Sequence, residues 1–311
     1  MKGRGLHHVT VIATDAARNL EFYTKVLGLR LVKRTVTHED PGAYHLIYGG
    51  GEGAPGGSLS FFSWVSAAEA DGPPDGSEYI SFSVTPDALD LWAERLSEFG
   101  IPFQQRRPLG GSAQLNFKDP DCTPLALVAS ALQEQAVWSQ PHIPPAFAVR
   151  QLACVTMSVR GTTLMARILT EVLGYAEIRR VGDQVEFSAH DEAGGRFVLH
   201  QRRNRPRPRL GAGVIHHVAF RARDETELVT MAKELQGRFG ITASPVKDRY
   251  YFQSIYFRGP DGLLIEISTD GPGFLIDETV EDLGSRLIFP PSLEDRQDEL
   301  LRILPPLDRA R

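Results

Sequence analysis

One arrangement recurs four times along this chain, and such a recurrence restricts the fold more than any single motif. A strand-like run, a helix-like run and three more strand-like runs follow one another in units of roughly 50–60 residues. The first unit reads "LHHVTVIATD", "AARNLEFYTKVLG", "LRLVKRTVTHE", "AYHLIYGG" and "GSLSFFSWV". Alternating side-chain environments predict a strand over residues 5–13, and Leu20, Tyr23 and Leu27 lay an apolar stripe along the next segment. Asp15 is placed to cap that helix and Gly28 to end it, because glycine readily adopts positive φ. In the second unit, "EYISFSVT" leads into "PDALDLWAERLSEFG", with Thr85 and Pro86 as the helix start and Gly100 as its end. The third opens with "QLACVTMSVR" and the fourth with "GVIHHVAFRA", each followed by the same order.

A small module of this kind covers one face of its sheet with one helix and must pack or curve the other face around a partner. The expected architecture is therefore α+β: four βαβββ modules forming two curved-sheet barrels, with a C-terminal extension. The modules span residues 1–66, 77–130, 149–201 and 212–270, followed by a tail over 271–311. The Pro- and Gly-rich stretches "SAAEADGPPDGS" and "SQPHIPPA" read as linkers, as does "QRRNRPRPRLGAG", whose clustered arginines lack interleaved aromatics. Phe274, Leu275 and Ile276 are expected to cover an opening, and the later Leu-rich stretch to dock as a short helix, so that the tail acts as a clasp.

Charge removes several classes of partner. Lys plus Arg number 34 against 39 Asp plus Glu, a formal charge of -5, which offers no general attraction to nucleic acid or anionic lipid. No run approaches the roughly 20 apolar residues needed to cross a bilayer, and the N-terminal stretch lacks a secretory pattern, so a cytoplasmic location is the default expectation. Cys122 and Cys154 show no metal-binding spacing and read as reduced thiols.

The two ends of the chain share a paired histidine beside a strand, "LHHVTVI" and "IHHVAF". Adjacent residues of an extended strand face opposite sides, so only one histidine of each pair should enter a cup. His8 matches His217, although period alone leaves His7 and His216 open as the inward pair. A third candidate is Glu266 in the apolar "GLLIEIS", since a buried carboxylate is costly unless paired, hydrogen-bonded or coordinated. Two imidazoles and one carboxylate can hold Fe(II), Mn(II) or Zn(II) with positions to spare.

The modular order resembles the vicinal oxygen chelate superfamily of glyoxalases, antibiotic-resistance proteins and extradiol dioxygenases. "HHVTVIATDAARNLEFYTKVLGLRLVKRTV", "DPGAYHLIYGG", "SLSFFSW" and "YFQSIYFRGPDGLLIEISTDGPGF" look more particularly like its hydroquinone-type ring-cleaving branch, over essentially the whole chain. The resemblance implies that the histidine directly before Val is the ligand, giving His8, His217 and Glu266 as the metal set. Modules one and four would then form the metal cup and modules two and three, which lack this set, a structural pair. It also implies an active-site role for Tyr256, ten residues before Glu266, and an acid/base role for His45, for which a buried supporting role stays equally open.

Arg249, Tyr251 and Ser254 form a further group expected to orient a substrate, with Arg249 and Tyr251 on one strand face and a surface salt bridge as the plainer reading for Arg249. Phe61, Phe62 and Trp64 offer either an apolar wall or ordinary sheet packing. The implied reaction is Fe(II)-dependent ring cleavage of a hydroquinone, catechol or related aromatic by dioxygen, with Mn(II) and Zn(II) as other candidate metals and a homodimer as one candidate assembly. The alternatives are glyoxalase-like isomerisation, disfavoured because "LSFFSWV" supplies no second carboxylate, and noncatalytic binding of an aromatic ligand.

Overall fold

The computed structural model describes residues 4–307 except 52, 54–55, 69–77, 108–110, 131–137, 139–141, 151, 190–194 and 205–208. Most of the first expected linker, part of the second and the centre of the arginine-rich one lie outside the described residues.

The first stretch forms β1 (Leu6–Ala13), α1 (Ala16–Glu21), β2 (Arg30–Val36), β3 (Tyr44–Gly49) and β4 (Ser58–Ser63). Asp15 caps α1 by accepting from the Arg18 amide, and the helix continues as a π-turn over Phe22–Val26 before Gly28 leaves it at φ 68°. Next come β5 (Tyr79–Val84), α2 (Ala88–Glu98), β6 (Phe103–Arg106), β7 (Gln114–Lys118) and β8 (Pro124–Ala129). A third group comprises β9 (Leu152–Val159), α3 (Thr163–Glu171), β10 (Ala176–Val181), β11 (Gln184–Ser188) and β12 (Arg196–Gln201). The fourth holds β13 (Ile215–Ala222), α4 (Glu225–Phe239), β14 (Lys247–Asp248), β15 (Phe252–Arg258) and β16 (Leu264–Pro272), and the tail ends in α5 (Gln297–Ile303). Among the described residues no helix is long and apolar enough to cross a membrane.

Two eight-stranded sheets result. Strands from the two ends of the chain combine in the order β14-β15-β16-β13-β1-β4-β3-β2, and the middle strands in the order β10-β11-β12-β9-β5-β8-β7-β6. Each sheet joins its two halves through a central antiparallel pair, β1 with β13 and β5 with β9. Buried apolar side chains such as Leu6, Val9, Phe61, Trp92, Phe187 and Phe220 belong to one extended core.

The expectation of two barrels is not met: only the first sheet curls, into a half-barrel, while the second is neither closed nor curled. Bulges account for much of the difference, because an extra residue bends its strand and increases its twist. The first sheet carries four such register shifts, at Leu6/His8, Thr10/Val11, Leu31/Lys33 and Phe252/Ser254, against two in the second. Its edges also meet: the loop after β2 bonds to the turn before β15, where Arg249 approaches His38 and Glu39. In the second sheet the edge strands β6 and β10 are mostly exposed.

The tail lies against the outer edge of the half-barrel. Phe274 packs with Val32, Ile47, Tyr251, Phe252 and Leu283 in a small second cluster, whereas Leu275 and Ile276 remain exposed. Lys33, fully buried on β2, donates to Asp277 at 2.6 Å, to Glu278 at 2.5 Å and to the Phe274 carbonyl at 3.2 Å. These three acceptors offset the cost of burying the amine. Leu300 of α5 is buried, and the Tyr44 hydroxyl donates to the Pro305 carbonyl.

Candidate metal centre

At the middle of the half-barrel, β1 and β13 run antiparallel with Thr10 opposite His217 and His8 opposite Ala219. On the far side of β13, Ala219 pairs with Glu266 of β16, so His8, His217 and Glu266 come from three consecutive strands. His8 Nε2 and His217 Nε2 are 3.0 Å apart, and Glu266 Oε2 lies 2.8 Å from the second and 3.5 Å from the first. All three side chains are buried, and they are the one group of His, Cys, Asp and Glu among the described residues whose ligand atoms converge within 4.8 Å.

This convergence fits a divalent metal. With bonds of roughly 2.1 Å, ligand atoms at a right angle stand about 3.0 Å apart. Glu266 Oε2 is buried among the two imidazoles with no other donor beside it, so its lone pairs face the point where the three side chains converge. Its other oxygen, Oε1, accepts from the Tyr256 hydroxyl at 2.9 Å and from Ser268 Oγ at 2.8 Å, which orients the carboxylate. Burial alone would raise the Glu266 pKa, but the His217 and His8 imidazoles hold it well below the usual carboxylate range. Burial lowers His217 against the opposing pull of Glu266, favouring the neutral ring a metal requires.

Both histidines of each pair reach the interior, contrary to the alternation expected of a regular strand. Between Leu6 and His8 the register advances two residues on β1 against one on β13, and between His217 and Ile215 the reverse occurs. His7 and His216 are therefore the extra residues of two bulges related by the sheet's approximate twofold symmetry. Their rings turn alongside their neighbours, with Nδ1 to Nδ1 separations of 2.8 Å for His7 and His8 and 2.7 Å for His216 and His217. Burial, reinforced by the neighbouring histidine, pulls His7 down to about 3 and His216 to about 4.

A cavity opens on these atoms, lined by His45, Ile47, Phe62, Tyr251, Phe252 and Tyr256 and bordered by Thr35, His38, Glu39, His216 and Arg249. A smaller apolar recess continues behind His8 past Ile47, Phe252 and Phe274. His45 Nε2 is buried without a hydrogen-bond partner, as is Thr35 Oγ1. Burial, and then the proximity of His8, keep the His45 pKa well below the ordinary imidazole value.

Arg249 donates through Nε to the Tyr256 hydroxyl at 2.9 Å and through an outer nitrogen to Glu39 Oε1 at 2.6 Å. Because Tyr256 in turn donates to Glu266, a continuous chain of hydrogen bonds runs from the rim to the carboxylate. Burial and the Glu266 charge raise the Tyr256 pKa well above the phenol range. Arg249 and Tyr251 both face the cavity, but from the turn before β15 rather than from a strand; Tyr250 between them has φ 69°. The Tyr251 hydroxyl donates to Asp277 at 2.9 Å, so it offers the cavity its ring. Ser254 is fully buried beneath the site and its hydroxyl pairs with Ser268 at 3.1 Å. Phe62 forms cavity wall, Trp64 packs against Phe62 and His216, and Phe61 belongs to the core. His38, Glu39 and Phe252 escaped the sequence reading. "THED" after β2 carries a polar signal, but nothing local places it against Arg249.

A family model described as the Glyoxalase/Bleomycin resistance protein/Dioxygenase superfamily matches residues 5–124, and the chain belongs to that superfamily. Within it, the chain is 37% identical to the protein named "Putative ring-cleaving dioxygenase MhqA" of Bacillus subtilis, the alignment covering 99% of this chain and 100% of that one. It is 30% identical to the chlorohydroquinone/hydroquinone 1,2-dioxygenase of Sphingobium indicum, over 96% of this chain and 95% of the relative. A crystal structure described as a "putative dioxygenase" from Bacillus subtilis superposes with a TM-score of 0.92 at 33% identity, covering 99% of this chain and 98% of that one.

Proposed function

We propose that this chain is a metal-dependent ring-cleaving dioxygenase acting on a hydroquinone- or catechol-like substrate, with Fe(II) as its metal. The observation that carries this reading is the His8, His217 and Glu266 cluster at the floor of a mostly apolar cavity, in a chain whose full-length relatives bear ring-cleaving names. A redox-active divalent metal there supplies the means to bring an electron-rich ring and dioxygen together and pass electrons between them.

The protein's part is to bind, orient and manage protons. Ile47, Phe62 and Phe252 provide apolar surface for a planar ring and keep bulk water from it. His45 is the group for taking a proton from a ring hydroxyl, because its imidazole is neutral and Nε2 has no competing partner. Tyr256 keeps its proton, as its raised pKa requires, and holds Glu266 in place while Arg249 fixes the phenol. Arg249 also puts positive charge at the rim, where it favours an anionic ring oxygen. Tyr251 and Phe252 complete the wall, and Ser254 supports the Glu266 carboxylate through Ser268. Modules one and four form the metal cup, and modules two and three the structural pair.

A glyoxalase-like site is disfavoured by the sheet itself. The β4 position matching Glu266 is Ser60, which pairs with Thr10 and shares a hydrogen bond of 2.7 Å with it. His8, His217 and Glu266 would therefore be the three protein ligands of a metal held here, which would leave it open to a substrate.

The test is oxygen uptake by metal-free protein reloaded anaerobically with Fe(II), Mn(II) or Zn(II), over a panel of hydroquinones and catechols with product mass analysis. Uptake requiring a redox-active metal and an aromatic substrate, with a ring-opened product two oxygen atoms heavier, is the expected result. Tight aromatic binding with no oxygen consumption by any loaded form would overturn the reading in favour of sequestration.

A further inference from the structure

The bulge histidines have no role in the proposed chemistry, yet each turns its ring against a metal-ligating histidine, His7 buried and His216 half-buried. A strand that needed one inward histidine would not need a second, and a bulge leaves a residue out of the ladder. The doublet recurs at both symmetry-related positions, which points to use of the neighbour rather than to packing alone.

Hydrogen-bond direction identifies that use. His7 Nε2 lies 3.1 Å from the Thr269 carbonyl. A carbonyl only accepts, so Nε2 of His7 carries the proton. In a neutral His7 ring Nδ1 then holds a lone pair, and it sits 2.8 Å from His8 Nδ1. His8 must therefore be protonated on Nδ1, which leaves the lone pair of Nε2 directed at Glu266 and His217. The opposite tautomer of His8 would put a proton where a metal must bind.

We propose that His7 is a positioning residue which, anchored by the Thr269 carbonyl, fixes the His8 tautomer and ring orientation so that Nε2 is preset for metal. The inference rests on the metal-site reading above and deepens it. His216 stands in the same relation to His217, but without a carbonyl anchor among the described residues. Its ring packs edge-on against Phe62 at 5.3 Å and Trp64 at 5.8 Å. His8 is thus preset before metal arrives, and the same argument does not extend to His217.

The consequence is measurable without turnover. Zn(II) serves as a diamagnetic probe, with affinity read by competition against a chromophoric chelator and tautomers by long-range 15N–1H NMR of the full chain. His7→Ala should lower Zn(II) affinity about 10–100-fold, as loss of an outer-shell partner does. His7→Gln should recover most of that loss, because its amide can donate to Thr269 and accept from His8. The wild-type spectrum should show protonated Nδ1 and metal-bound Nε2 on His8, with a proton on His7 Nε2. Thermal unfolding of the metal-free variants separates this effect from a general loss of stability.

Wild-type affinity retained by His7→Ala, or His8 bound through Nδ1, overturns the inference and leaves the metal site standing. Failure of the wild-type protein to bind Zn(II), Mn(II) or Fe(II) overturns both. If His7→Ala does not fold, the wild-type spectrum and His7→Gln still decide between the two tautomers.

Discussion

Glu39 and Arg249 meet at 2.6 Å across the mouth of the half-barrel, joining a loop on one edge of the sheet to a turn on the other. Arg249 is the more enclosed partner, with its side chain 14% exposed against 56% for Glu39. Losing the charged hydrogen bond to Tyr256 should therefore matter more than losing the rim ion pair. We expect Arg249→Met to reduce kcat/KM by about 10–100-fold, the equivalent of roughly 1.5–3 kcal/mol. Glu39→Gln should cost about fivefold or less. Steady-state kinetics at low and high salt check both, and the Glu39 effect alone should shrink as salt rises.

Lys33 ties the tail to β2 through two carboxylates inside the protein. Lys33→Met leaves Asp277 and Glu278 without their cation, and removal of one partner from a buried pair costs about 3–5 kcal/mol. Urea unfolding should show that loss, and limited proteolysis should cut the tail faster than in the wild-type protein. Tyr251 should feel the change through its bond to Asp277, so substrate KM should rise as well.

Asp119 supplies a pH-dependent term remote from the metal. Its carboxylate accepts from the Tyr23 hydroxyl and from the Asp121 and Thr123 amides, but burial pushes its pKa from 3.8 to about 6. The folded state thus holds this proton more tightly than the unfolded chain. Its stabilising contribution is complete below about pH 4 and disappears as pH rises through about 6, a swing of roughly 3 kcal/mol. Asp119→Asn mimics the protonated form. Its stability should match the wild type near pH 4 and exceed it near pH 7, as read from urea midpoints across that range. Equal differences at both pH values would contradict the assignment.

Metal binding should also stabilise the fold, because the ligands come from three strands that must already be paired. A metal at a hundred times its Kd adds about 2.7 kcal/mol. Calorimetric melting with and without Mn(II) should show a clear rise in Tm, largely abolished in Glu266→Gln and His217→Ala. Chelation should reverse it.

Much of this molecule could be read before folding. The order strand, helix and three strands was visible four times because each element repeats its own period and ends at glycine or a cap. Asp15 and Gly28 behave as their side chains predict. His8, His217 and Glu266 stood out as polar residues in apolar strands, and resemblance selected His8 and His217 over their neighbours.

What local pattern could not decide was how the strands met. Strict alternation allowed only one histidine of each pair to face inward, but bulges in the β1 and β13 pairing turned both inward. The same long-range register curled one sheet and left the other open, although the repeats had looked alike. Residues 210 apart, such as Glu39 and Arg249, became partners only through that curl. Side-chain period belongs to a single strand and is written in its sequence. Register, bulge and curvature belong to pairs of distant strands, where packing of the whole sheet determines which arrangement has the lowest free energy.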